Sequence, residues 1–180
     1  MKNHFLILFL LLFFFLIIPF SPQASQGESL EYRLKAAFIY KIKDFIDWSL
    51  DSFVDKSPPL TISVIGRNRF FEGLNSLKEE KLKNRKLILR SFQKIDEQTK
   101  SSRIIVIGAS QEYRLEKILD FLKSSHALIV GEKQGFFQKG RIFNLILEKG
   151  KIRFEIIHKK AKRSGLKVSS RVLRLAKIIE

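Results

Sequence analysis

The chain has 180 residues, 45% of them hydrophobic and 29% charged, with 34 basic against 18 acidic side chains and a formal net charge of +16. With no cysteine, disulfides, a lipid-modified cysteine anchor and redox switching are excluded, and stability rests on packing. The positive balance draws anionic partners: nucleic acid, lipid headgroups or an acidic protein face. The basic residues are nevertheless spread from Arg33 to Lys177 and are not gathered in one arm.

Lys2, the unbroken apolar run from Phe5 to Ile18 and the polar stretch after Pro19 have the layout of a secretory signal peptide. The run is shorter than the ~20 residues that a spanning helix needs, so an uncleaved anchor is the second reading. Cleavage is expected near Ala24 or Ser25, giving a leader over 1–25 and a domain over 26–180. Export to the periplasm argues against nucleic acid as the partner.

Glu31 to Ser49 reads as a first helix. Leu34, Phe38, Ile42 and Phe45 form its apolar side, Ile39 and Ile46 widen the stripe, and Trp48 closes it as a packing anchor. Lys35 and Lys41 fall inside that arc, with stems that pack and ammonium groups that reach water. Pro58-Pro59 then delivers the chain to a strand at Leu60–Ile65, ended by Gly66. A short helix over Asn68–Ser76, a charged connection over Glu79–Asn84 and a strand at Lys86–Arg90 follow. Arg103–Ile107 is a central strand by its continuous apolar run, and Ser110 caps a helix whose stripe is Leu115, Ile118, Leu119 and Leu122. Ala127–Val130 is a fourth buried strand.

Strands that alternate with helices imply βαβ units and a parallel sheet. The next segment adds antiparallel strands. Ile142–Leu147 and Lys151–Ile156 flank Gly150, and in the second run Ile152, Phe154 and Ile156 alternate with Lys151, Arg153 and Glu155. The basic stretch His158–Arg163 is closed by Gly165, a helix C′ candidate. Ser169 or Ser170 caps a last helix with Val172, Leu175, Ala176 and Ile179 on one side. The expected fold is a single α/β domain. Its sheet is mixed and mostly parallel, with about five or six strands flanked by helices and with a C-terminal hairpin and helix.

Little in the chain carries chemistry. The loop from Gly131 to Ile142 nearly spells a phosphate-binding loop, but Arg141 stands where Lys is needed and Ile142 where a hydroxyl is needed. It leads into a strand, so no helix N-terminus is there to hold phosphates. Gly66, beside Arg67 and Arg69, ends a strand where open α/β sheets bind ligands, although a lone glycine fits an ordinary turn better. His126 and His158 lack metal-ligand spacing, no serine sits in a nucleophile elbow, and Glu79-Glu80 lies in a solvated connection. No catalytic residue, metal ligand or cofactor site is assigned.

Three blocks are more telling: KAAFIYKI followed by FIDW, then GFF with GRIFNLILEKGKIRFEI, and AKRSGLKVSSRVLRLAKI at the end. In their order and spacing they resemble the YfiR family of periplasmic repressors over about Glu31 to Ile179. The resemblance implies a non-catalytic homodimer that binds the sensor domain of an inner-membrane diguanylate cyclase and lowers cyclic diguanylate, a signal for surface attachment and biofilm. From the family's closing motif Arg153, Glu155, Gly165, Leu166, Ser169 and Leu173 carry over as structural positions. Candidate partner contacts are Phe136 and Phe137 in the Gly-bounded loop, and Lys159, Lys160 and Arg163 in the basic stretch. Two rival expectations stand beside this one. One is a periplasmic small-ligand or anion-binding module feeding a histidine kinase. The other is a basic protein lying on anionic membrane.

Overall fold

Continuous and alternating apolar runs build the sheet, and the order in which they pair decides where a site can sit. The computed structural model describes residues 24–48, 59–66, 69–81, 87–132 and 142–179. Seven strands form one sheet: β2 (Leu60–Ile65), β3 (Leu87–Phe92), β4 (Ile104–Ile107), β5 (Leu128–Gly131), β6 (Phe143–Glu148), β7 (Lys151–Ile157) and β9 (Lys177–Ile179). Their order is β3-β2-β4-β5-β6-β7-β9. The first five run parallel, β7 returns antiparallel to β6, and β9 lies parallel to β7. The mixed, mostly parallel sheet is the one expected, with more strands than the run count suggested.

Each face of the sheet carries its own apolar cluster. Ile62, Val64, Ile104, Val106, Leu128, Val130, Phe143, Leu145, Phe154 and Ile156 point to one face. Helix α1 (Ala24–Ile42) and helix α2 (Arg69–Lys81) cover it. Ile65, Ile105, Ile107 and Ile129 point to the other face, under Leu115 and Ile118 of α4 (Leu115–Phe121) and Leu122 just beyond it. The stripe expected for that helix is therefore the buried one, but Ser110 does not cap it: a 3-10 turn over Ala109–Arg114 precedes it. Between β3 and β4 lies α3 (Glu97–Lys100), one turn held by a capping box of Asp96 and Thr99.

The first helix differs from expectation in extent and in rotation. It ends at Ile42, and after a 3-10 turn Ile46–Trp48 becomes β1, paired antiparallel with β8 (Leu166–Val168). Trp48 is thus a strand residue, half-buried, with the Arg103 guanidinium 5.7 Å from its ring. The buried side of α1 is Lys35, Ala36, Ile39 and Tyr40, while Leu34 and Phe38 are exposed. The cause is helix packing. A Cβ at Gly73 of α2 would lie 2.9 Å from the Tyr32 carbonyl and 3.2 Å from Ala36 Cβ, so the two helices meet through their smallest residues.

The chain's end is also corrected. The basic stretch forms α5 (His158–Arg163), and Gly165 has φ +75 as a C′ residue requires. Helix α6 (Ser170–Leu175) stops one turn early. Ala176 is extended, and Lys177–Ile179 joins the sheet as β9, because pairing with Glu155, Ile156 and Ile157 satisfies its backbone.

Alanine at a helix interior normally gains about 1 kcal/mol over glycine. Gly73→Ala should do the reverse and destabilise by about 1–3 kcal/mol, since its Cβ would press on backbone. Urea denaturation checks this, and a stabilised variant would contradict the α1–α2 contact.

Candidate protein-interaction surface

Open α/β sheets bind ligands where neighbouring strands send their connections to opposite faces. Here β2 leads to α2 on one face and β4 leads toward α4 on the other. The crevice between them is filled by the chain itself. Gly66 has φ +103 and donates its N–H to the Phe92 carbonyl at 3.0 Å, and a Cβ there would meet Ser110 Oγ at 2.6 Å. Gly66 therefore serves a turn and a close approach.

The same end of the sheet is tied to α1. Glu132, after β5, accepts the Ala109 N–H. The Tyr32 hydroxyl lies against the Glu132 carboxylate. Burial first, then the charge and hydrogen bond of Glu132 and the charge of Glu31, push that phenol well above its ordinary value. One turn on, Lys35 is 3% exposed, ion-paired with Glu31, and its Nζ lies 5.2 Å from the Tyr32 ring and 5.9 Å from the Phe70 ring. A buried ammonium is tolerable only with such partners. The expectation that its charge reaches water is corrected.

With that side of α1 turned inward, Leu30, Leu34 and Phe38 face solvent at i, i+4 and i+8. The Phe38 ring lies 5.9 Å from Phe154, which stacks on Phe143 at 5.6 Å. By strand register Leu147 and Ile152 share the face of Phe154. Leu147 is exposed and Ile152 half-buried. The outer side of α1 and this corner of the sheet thus present one apolar surface, of the kind that marks a contact site more than scattered single residues do.

The opposite face of the same strands is polar. Glu155 is 3% exposed. Asn144 Nδ2 donates to it at 3.2 Å, and Lys177 Nζ lies at 3.5 Å. Arg153 points to Glu148 at 4.0 Å. Glu148, Arg153, Glu155 and Lys177, with Ile146 and Leu175, line a cleft of about 300 Å³. The other motif residues hold the end of the chain together. Leu166 pairs with Trp48 across β1 and β8, Leu173 packs on the main core, and the Ser169 N–H donates to the Phe45 carbonyl at 2.9 Å. Ser169 sits at the N-cap of α6, but its hydroxyl makes no cap bond.

Of the candidate partner contacts, Lys159 and Arg163 are exposed on α5, while Lys160 is half-buried and its burial lowers the ammonium pKa. Phe136 and Phe137 lie outside the described residues, as do residues 1–23 of the leader expected over 1–25. Among the described residues no cluster of His, Asp or Glu is placed to hold a metal, and no helix is long and apolar enough to cross a membrane. The α1 surface was missed by sequence reasoning. Its signal was the surplus of apolar residues around α1, more than one buried face can take.

The described residues thus form a mostly parallel α/β sheet with an apolar corner exposed among them. A family model described as YfiR/HmsC-like matches residues 32–177, and the chain belongs to that family. It is a family of periplasmic, regulatory proteins of diguanylate cyclase signalling that act with membrane-bound partners. No curated protein matches. Among solved structures, a conserved domain protein from Vibrio cholerae O1 biovar El Tor is similar, with 12% identity and a TM-score of 0.59 over 83% of this chain and 60% of that one. An ABC domain in complex with L-Trp from Streptococcus pneumonia is also similar, with 12% identity and a TM-score of 0.53 over 67% of this chain and 55% of that one. The chain thus spans less than two thirds of either, and at such identity the likeness is one of fold.

Two measurements check these assignments. Lys177 is largely exposed, so Lys177→Met should cost only about 0.5–1 kcal/mol, and nothing in a Glu155→Gln background. Equal costs in both backgrounds would dissolve the pair. Lys160→Met should raise the melting temperature at pH 7. Burial disfavours the folded ammonium, so the unfolded chain binds the proton more tightly and stability rises with pH toward the ordinary value of 10.5. The advantage of Lys160→Met should therefore fade as the pH approaches that value.

Proposed function

We propose that this chain is an exported, non-catalytic regulator that binds the periplasmic sensor domain of an inner-membrane diguanylate cyclase and holds the cyclase inactive. Its membership of the YfiR/HmsC-like family supports the class. The observation that carries the site is the exposed apolar row Leu30, Leu34 and Phe38, joined through Phe154 to Leu147 and Ile152. A partner that covers this surface only in its inactive conformation shifts the equilibrium toward that state, with no chemistry required of the regulator. The positive net charge, +16 in the full chain and +16 − 1 = +15 once Lys2 is removed with the leader, quickens encounter with an acidic sensor domain.

The exported form is expected to begin near Ala24 or Ser25 and to act as a homodimer, the state the family resemblance implies. Lys159, Lys160 and Arg163 are proposed as auxiliary contacts to anionic groups of the partner or of the membrane beside it. The reading as a small-ligand module draws less support, because Ser110 and Gln111 fill the space at Gly66.

The test is capture from membranes with tagged protein, washed at low salt and at about 0.5 M salt, where surface charges are screened within a few ångström. An inner-membrane protein with a cytoplasmic cyclase domain should be retained through the high-salt wash. Leu30→Asp and Leu34→Asp should each reduce its recovery at least about tenfold while leaving stability within about 0.5 kcal/mol. Recovery of a histidine kinase would move the pathway. Lipid alone, or many proteins lost together in salt, would overturn the reading.

A further inference from the structure

The sheet ends at β9, and among the described residues no strand pairs with its outer side. Exposed edges of this kind are ordinarily blunted by charge, proline or a bulge. Here the edge carries one charge, Lys177, whose ammonium turns to Glu155, beside exposed apolar side chains: Leu175, just before β9, is 72% exposed, and Ile178 within it is 50% exposed. The surrounding charge has one sign. Residues 142–179 contain eleven Lys and Arg and two carboxylates, Glu148 and Glu155. Both carboxylates are occupied, by Arg153 and Lys177. Lys151, Arg171 and Arg174 have no acidic partner among the described residues.

These features select one kind of occupant. A second copy of this chain would bring its own positive edge against this one. A lipid headgroup would satisfy charge but not a row of strand N–H and C=O groups. An extended acidic chain satisfies both: its backbone continues the ladder, and alternate side chains reach either face. The cleft beside β9, between Ile146 and Leu175, offers a pocket on one of those faces.

We propose that the β9 edge binds an extended, acidic segment of a partner protein by strand addition. Alternate apolar side chains of that segment cover Leu175 on the cleft side and Ile178 on the other, and its carboxylates are neutralised by Arg171 and Arg174. Ile178 shares the sheet face of Ile156 with α1, but the strand edge and Leu175 do not belong to the α1 row, so loss of cyclase capture on changing Leu34 neither supports nor removes the proposal.

The test uses protein purified from the periplasm of an expression host and a synthetic peptide of about eight residues that alternates valine and glutamate. Two control peptides carry lysine for glutamate, or N-methyl groups at alternate residues. The valine–glutamate peptide should bind and slow amide exchange at Lys177–Ile179, and both controls should fail. Arg171→Glu with Arg174→Glu should weaken binding at least about tenfold, and Leu175→Ser should weaken it without changing the charge. Equal binding by the N-methylated peptide would overturn the proposal, as would unchanged exchange at β9 in the wild-type protein. So would phosphatidylglycerol vesicles that protect this edge while the peptide does not.

Discussion

The orientation of α1 depends on one contact, Gly73 of α2 against the Tyr32 carbonyl and the Ala36 methyl group. Bringing two helices together at their smallest residues fixes which side of each turns inward. It places Tyr32 where its hydroxyl reaches Glu132, and it puts Lys35 in the interior. Hydrophobicity alone favours the other rotation, since full burial of a Leu or Phe contributes about 1.5–3 kcal/mol and burial of a lone ammonium is costly. The observed rotation holds because Lys35 has Glu31 and two aromatic rings beside it. It leaves Leu30, Leu34 and Phe38 outside. A local preference overridden in this way is what functional surfaces commonly display.

What was legible in the sequence follows the same logic. Leu60–Ile65, Arg103–Ile107 and Ala127–Val130 read as strands because continuous apolar runs between turn residues have few other uses in a parallel sheet. The hairpin around Gly150 read correctly because alternation and turn sit within a dozen residues. The rotation of α1 was not legible: Leu34 with Phe38, and Ala36 with Ile39 and Tyr40, are two apolar sides of one helix, and only α2 chooses between them. Strands β1, β8 and β9 have three residues each. Their partners are far along the chain, Trp48 opposite Leu166 and Lys177 opposite Glu155, so no local pattern announces them. The expected terminal helix, with Ile179 on its stripe, failed for that reason: tertiary pairing outweighed helical spacing.

The same pairing explains why the family resemblance rests on blocks at both ends of the chain. Ile46–Trp48 and Leu166–Val168 form one ribbon, and the Ser169 amide closes it onto the Phe45 carbonyl. Gly165 turns the chain out of α5 into that ribbon. Arg153 and Glu155 lie on the polar face of β7, where Glu155 ties β9 to the sheet through Lys177. The motif positions are thus largely joints between sequence-distant segments. They mark the fold more than a contact surface, and exposed apolar residues such as Leu34 are not among them.

The proposed regulator would do its work through differential binding, and the scale required is known. Moving a two-state partner from 1:99 to 99:1 takes about 5.5 kcal/mol of preference for one state. At about 25 cal/mol per Å² that corresponds to roughly 220 Å² of apolar surface covered in one state and not in the other. Three side chains the size of Leu30, Leu34 and Phe38 are enough to supply it, provided the partner's two conformations differ at that surface. Charge cannot replace them. The positive field of the chain acts over about 8 Å at physiological salt and attracts either conformation of an acidic partner alike, so it raises the rate of encounter and not the preference. In the proposed function the apolar row and the basic surface therefore have different tasks. The first would select a state of the partner, and the second would bring the partner to it.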